Sequence, residues 1–340
     1  MANNPKYWGT VTPMPAPMIA AQAQQLEAMG LEGVFAPQVY GPPFIPLAVA
    51  AGATNRMKLA TGIALAFARS PFETAVAAMD MDMISSGRFV LGLGSSVRAW
   101  SEGFFGMPYG KPVEHLREVI EIVRLVVEKS HTGELTRYDG KYHQLDFSEF
   151  QPLRQPIRTH IPIWVAGLRQ PILRMGAEVA DGIIGHPIWS VDWATTKVMD
   201  DINAGLAKAG RQRSDVEFNV WLFVAPNADR KQAIEDAKAT VAFYAGVEQY
   251  EAYFAAHGFG KEARLLQEGV KRGDYISVKH LVTDEMAQTF AVCGTPDEVR
   301  KRVEKIWDVA DSASLMPPAY ALAPEQMMAY AMSIAQLFYT

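Results

Sequence analysis

The sequence predicts a (β/α)8 barrel of the TIM type, and three observations predict it. Eight short β-type runs punctuate the chain, helical segments alternate with them, and 340 residues suit one large α/β domain. The runs are continuously apolar with no clean alternation, the pattern of a parallel sheet covered by helices. Closing eight strands on themselves also removes the sheet edges that a doubly wound arrangement leaves.

In chain order the strands are expected at 7–12, 33–37, 58–65, 88–93, 162–166, 182–186, 217–224 and 312–317. A helix is expected over 17–29, with Gly30 placed to end it. Another is expected over 112–128, where Leu116, Val119, Ile120, Val123 and Val127 share one face. A further helix starts at 294–298: Thr295 caps it, Pro296 takes its first position and Glu298 completes a capping box. Residues 95–160 and 227–291 exceed what barrel loops require. The first stretch carries a helix and a tight hairpin at Asp139-Gly140, and the second is a helical insertion between strands seven and eight. No Ser/Gly/Pro-rich linker flanks either, so residues 1–340 are expected to form a single domain.

A formal net charge of -5 leaves no general basic face, which argues against nucleic acid as a partner. One cysteine, Cys293, permits neither an intramolecular disulfide nor a cysteine zinc site, and no metal is expected. Apolar stretches fall short of the roughly 20 residues of a spanning helix. Residues 1–17 read as strand and loop and not as a leader. A cytoplasmic protein without membrane contact is therefore expected.

Barrel chemistry sits at the carboxyl ends of the strands. After the third strand, TGIALAFARSP at 61–71 places Gly62 inside a β-run, which marks a bulge, a close ligand face or simple packing. The fourth strand leaves through LGLGSS at 91–96, where Gly94 and Ser95 either offer donors to phosphate or form a tight turn. The fifth leaves through VAGLR at 165–169, just before a helix beginning near Pro171, where backbone N–H groups and Arg169 either form an anion seat or Arg169 is simply a solvated surface arginine. The sixth ends in GHPIW at 185–189, with His186 and Trp189 at the mouth. Thr12, Gln38, Tyr40 and Phe67 follow the first three strands. This mouth is aromatic and neutral. It lacks the paired carboxylates of glycoside hydrolysis, an H-E-x-x-H and a G-x-S-x-G elbow, so a cofactor is expected to carry the chemistry.

At these residues the chain resembles the luciferase-like monooxygenase superfamily, in particular its deazaflavin (coenzyme F420)-dependent oxidoreductase branch. The resemblance rests on TGIALAFARSPFETA at 61–75, SGRFVLGLGSSVRAW at 86–100, FGMPYGKPVEHLRE at 105–118, VAGL and GAEVADGIIGH within 165–186, and GTPDEVRKRVE at 294–304. It implies a flavin-like ring lying in the barrel mouth against Thr61, Gly62, Ile63 and Ala64, with a non-proline cis peptide at Gly62-Ile63. It also implies a cofactor phosphate near Gly94, Ser95 and the turn Ala166, Gly167, Leu168 and Arg169, with Gly185, His186 and Pro187 near the ring. Arg69, Arg98, Lys111 and Arg169 are placed to meet an acidic cofactor tail.

The activity implied is hydride transfer between reduced coenzyme F420 and a small apolar or aromatic substrate. A separate enzyme would reduce the cofactor, and the assembly would be a homodimer. Many relatives end strand two with an acidic residue or a histidine, whereas this chain has Gln38, a poor general acid. Gln38 and His186 are the catalytic candidates, and Thr12, Gln38, Tyr40, Phe67 and Trp189 are the expected substrate walls. Two alternatives remain open: an FMN-dependent monooxygenase fed with reduced flavin by a separate reductase, and a non-catalytic flavin or deazaflavin binding protein.

Overall fold

The computed structural model describes residues 5–272 and 275–339, so residues 1–4 of the opening stretch and 273–274 of the second insertion lie outside the described residues. The chain divides into two compact units.

The larger unit comprises Trp8–Ile184 and Asp200–Phe218. Its sheet runs β1 (Trp8–Thr10), β2 (Gly33–Ala36), β3 (Lys58–Thr61), β5 (Phe89–Gly94), β8 (Ile163–Ala166) and β9 (Gly182–Ile184), and a short β4 (Ala64–Leu65) also pairs with β5. Every pair is parallel, with Trp8 opposite Gly33, Leu59 opposite Phe89 and Leu91 opposite Ile163. These strands are buried on both faces, which explains their unbroken apolar sequence. Around them lie α1 (Ala16–Ala28), α2 (Phe44–Ala53), α3 (Pro71–Ile84), α4 (Arg98–Gly103), α5 (Pro112–Lys129) and α6 (Gln170–Val179).

Helix α5 buries the expected stripe of Leu116, Val119, Ile120, Val123 and Val127. After α1, Gly30 takes a φ of 80°, the left-handed turn that ends the helix. Two arginines fasten the unit. Arg88 donates to the carbonyls of Ala51, Thr54, Met57 and Ser85. Arg158 forks onto the buried Asp82 carboxylate at 2.6 and 3.1 Å and reaches the Phe89 carbonyl at 2.6 Å.

The hairpin in the first insertion differs from the two-residue turn expected at Asp139-Gly140. Strands β6 (Arg137–Asp139) and β7 (Gln144–Asp146) pair Asp139 with Gln144, so residues 140–143 make the connection. Glu118 on α5 shapes that loop by accepting the backbone N–H groups of Lys141, Tyr142 and His143 at 2.6–3.1 Å.

The smaller unit comprises Met1–Tyr7, Gly185–Met199 and Asn219–Thr340. Within it, β10 (Glu217–Pro226) from Asn219 onward lies between β11 (Val292–Gly294) and β12 (Ser312–Met316), parallel to both. The helices are α7 (Val191–Thr195), α9 (Arg230–Ala245), α10 (Glu251–Ala256), α11 (Gly260–Lys271), α12 (Asp284–Phe290), α13 (Pro296–Glu304) and α14 (Pro324–Phe338), and α8 (Lys197–Ala209) begins here and continues in the larger unit. The Thr295–Glu298 capping box forms as expected, with both reciprocal bonds made. Strand β11 was not expected, and it carries the buried Cys293, whose thiol burial pushes up to about 11. No helix among the described residues is long and apolar enough to cross a membrane.

Candidate cofactor and substrate site

The third strand breaks where Gly62 interrupts it, and the Gly62-Ile63 peptide is cis, as the family resemblance implied. Around this bulge the ladder bonds are replaced one by one. Gly62 N–H donates to the Ala36 carbonyl at 2.9 Å, and the Ile63 carbonyl accepts from Gln38 N–H at 3.1 Å. Thr61 Oγ1 donates to the Gly92 carbonyl at 2.7 Å and accepts the Gly92 N–H at 2.8 Å, so one hydroxyl satisfies both backbone groups facing the break. Gln38 Oε1 accepts from Leu65 N–H at 3.0 Å and from Arg69 Nη2 at 2.9 Å. The Gln38 carbonyl therefore holds the far lip of the bulge, a role its sequence position does not reveal.

Arg69 is the unusual member of this group. Its Nε pairs with Glu73 at 3.2 Å and its guanidinium lies 5.4 Å from the centre of the Phe44 ring. Burial pushes the guanidinium below its ordinary value, partly offset by Glu73. Nη1 is buried and has no hydrogen-bond partner among the described residues. A buried guanidinium nitrogen left in this state favours an incoming acceptor oxygen.

Beyond β5, Gly94 is buried while Ser95 and Ser96 are half-exposed, and Ser96 takes a left-handed φ of 56°. Gly167 approaches Ile172 of α6, where a Cβ would lie 2.5 Å from Ile172 Cγ2, so packing suffices to explain that glycine. Helix α6 starts after Arg169 without a side-chain cap, leaving its first N–H groups to another acceptor. Arg98 bonds Glu102 and the Gly110 carbonyl, and Lys111 lies 3.6 Å from Glu114.

In the smaller unit, His186 lies in an aromatic group. Its ring meets Tyr244 and Tyr250 edge-on, with centroids 5.5 and 5.2 Å away. Nδ1 accepts Ile188 N–H at 3.3 Å, which leaves the hydrogen on Nε2, 3.2 Å from Tyr250 Oη. The following loop is pinned by Ser190, whose N–H donates to Tyr253 Oη at 2.9 Å and whose Oγ lies 3.0 Å from His257 Nε2.

Burial pushes His186 down from its ordinary 6.5 to about 3, so it stays neutral at neutral pH. Between those values the unfolded chain binds a proton that the folded chain refuses. Stability is therefore full above about pH 6.5 and falls as the pH drops toward 3, at about 1.4 kcal/mol per pH unit for one group. Burial shifts His115, His143 and His257 in the same direction. Urea midpoints should fall between pH 7 and 5, and His186→Phe should flatten that slope. A midpoint constant over the interval would show that these rings are protonated in the fold.

The residues expected at the mouth divide accordingly. Thr61, Gly62, Ile63, Ala64, Gln38 and Gly94 come together at the bulge, where a Cβ on Gly94 would lie 2.2 Å from Ile63 Cδ1. Two of the expected substrate walls are buried. Phe67 is buried, stacked on His115 at 4.0 Å, and Trp189 is fully buried. Tyr40 is exposed and stacks on Trp100 at 5.8 Å, and Thr12 is exposed. Sequence reasoning passed over His115, His143, Tyr244 and Tyr250. A signal existed for His115, which interrupts the apolar face of α5 one residue before Leu116.

The site is thus built on parallel strands, the third of which is interrupted at Gly62. Residues 4–310 match the family model of the luciferase-like monooxygenase, and the chain belongs to that family. It is 30% identical over 267 residues to the 5,10-methylenetetrahydromethanopterin reductase of Archaeoglobus fulgidus, covering 76% of each chain. Among solved structures it is similar to the coenzyme F420-dependent tetrahydromethanopterin reductase of Methanopyrus kandleri, with a TM-score of 0.81 at 22% identity and 98% of each chain covered. It is also similar to the FMN-bound oxygenating constituent of 3,6-diketocamphane monooxygenase from Pseudomonas putida, with a TM-score of 0.66 at 16% identity and 98% of each chain covered. The chain thus has the TIM-barrel fold of these enzymes, and family membership makes it an enzyme.

Proposed function

We propose that the protein is a coenzyme F420-dependent oxidoreductase acting on a small apolar or aromatic substrate. The observation that carries this reading is the bulge at Gly62-Ile63, braced by Thr61 and Gln38, with the unpartnered Arg69 Nη1 beside it. Similarity to the putative coenzyme F420-dependent oxidoreductase of Mycobacterium tuberculosis, 28% identical over 326 residues, supports the deazaflavin over FMN.

The residues fit such a cofactor, because a buried donor without an acceptor and a helix start without a cap both suit a ligand rich in acceptor oxygens. When bound, a reduced deazaflavin supplies a hydride and little oxygen chemistry. Thr61, Gly62, Ile63 and Ala64 would seat the ring. Gly94, Ser95 and Ala166, Gly167, Leu168 and Arg169 would hold the phosphate. Gln38 fixes the bulge through its carbonyl and is a positioning group with no acidic proton to give. His186 stays neutral and presents an Nε2–H donor; the walls near it in its own unit are tyrosines. Gly185 and Pro187 flank it in the chain.

We also infer a homodimer. Met18 on α1 and Ile45 on α2 are large apolar side chains left exposed in the larger unit. Reduced cofactor would come from a separate enzyme.

The test is fluorescence titration of the purified protein with coenzyme F420 and, separately, with FMN. Tight F420 binding is expected, weakened about tenfold in Gln38→Ala as the Leu65 and Arg69 bonds are lost. Preference for FMN would transfer the reading to the monooxygenases, and binding of neither would overturn it.

A further inference from the structure

We propose that Tyr109, oriented by the ring pair His115 and His143, is a positioning residue that sets the Ser95–Ser96 turn to receive the phosphate of the cofactor; this rests on the F420 reading above. Ser96 holds a left-handed backbone, which a residue with a side chain adopts only under restraint. The restraint is visible. Tyr109 Oη donates to the Ser96 carbonyl at 2.9 Å, and Ser95 Oγ donates to the same oxygen in a long 3.3 Å bond. The oxygen that would repel an anion is thereby occupied, and turns of this kind gather successive N–H groups on one side. The weak Ser95 bond leaves that hydroxyl easy to redirect toward a ligand oxygen.

Tyr109 is itself held from three directions. Its ring meets Phe67 edge-on at 5.4 Å, and the Arg98 guanidinium lies 5.1 Å from its centre. Its carbonyl accepts from His115 Nδ1 at 3.0 Å. That bond fixes the tautomers of two histidines. With hydrogen on His115 Nδ1, His115 Nε2 is an acceptor, so His143 Nε2, 2.9 Å away, is the donor. The His115 ring is clamped between Phe67 at 4.0 Å and Tyr142 at 4.5 Å, both near parallel. Glu118 holds His143 by accepting its backbone N–H at 2.6 Å. A chain of defined donors thus runs from the insertion hairpin to the turn after β5, with Phe67 joining it just past the bulge. Phe67 is the floor on which this chain rests.

The test compares two probes on the purified protein: coenzyme F420 and its deazaflavin chromophore lacking the phosphate-bearing tail. Tyr109→Phe removes only the hydroxyl, and His115→Phe keeps the ring stack while removing both nitrogens. Each variant should bind F420 about tenfold more weakly and bind the tailless chromophore within about twofold of the wild type, with unchanged thermal midpoints for Tyr109→Phe. Equal weakening toward both probes would mean a general structural role and overturn the assignment, as would unchanged F420 affinity. If His115→Phe does not fold, Tyr109→Phe alone decides. A wild-type protein that binds neither probe would overturn the cofactor reading itself, and this assignment with it.

Discussion

Replacing Gly92 with alanine is expected to remove most of the folded protein. A Cβ at this position would lie 1.9 Å from the Thr61 carbonyl oxygen and 2.7 Å from Ile184 Cδ1. The first obstacle is backbone, and it cannot withdraw. The Thr61 side chain is bonded to both Gly92 N–H and Gly92 C=O, and β3 is held in register by β2 on its other side. Overpacking that side chains absorb costs about 1–3 kcal/mol; a clash with fixed backbone should exceed about 4 kcal/mol, a large part of the 5–15 kcal/mol that domains typically possess. Gly94→Ala is the control, because there the obstacle is the movable tip of Ile63. Urea unfolding should show a severe loss for Gly92→Ala and a mild one for Gly94→Ala. Equal midpoints for the two would refute the close approach of β3 and β5.

The second large effect is expected from Arg158→Ala. Asp82 is buried on α3, and the forked bond from Arg158 supplies its carboxylate with all the side-chain donors described for it. Removing the arginine strands a buried charge and frees the Phe89 carbonyl, at a cost of about 3 kcal/mol. The charge is the cause, so adding Asp82→Asn to Arg158→Ala should recover part of the loss. A double variant less stable than Arg158→Ala alone would place the effect in packing.

What the sequence revealed follows from how far apart the interacting residues lie. The α5 stripe and the Thr295–Glu298 box were legible because each is decided within a few residues. Gly62 was legible because a glycine in a β-run is anomalous on its own. The brace was not: Gln38 acts on Leu65 and Arg69, 27 and 31 positions away, and no local pattern links them. The hairpin was mistaken in its turn for the same reason, since the carboxylate shaping it belongs to α5. Strand β11 has three residues, too few for any period to register.

The burial of Cys293 has a consequence for handling and assembly. It is the only cysteine in the chain, and its place in β11 keeps the sulfur protonated and away from solvent. The folded protein therefore offers no thiolate to oxidants or alkylating reagents at neutral pH. Any complex between copies is held by noncovalent contacts, and reducing agents neither create nor dissolve it.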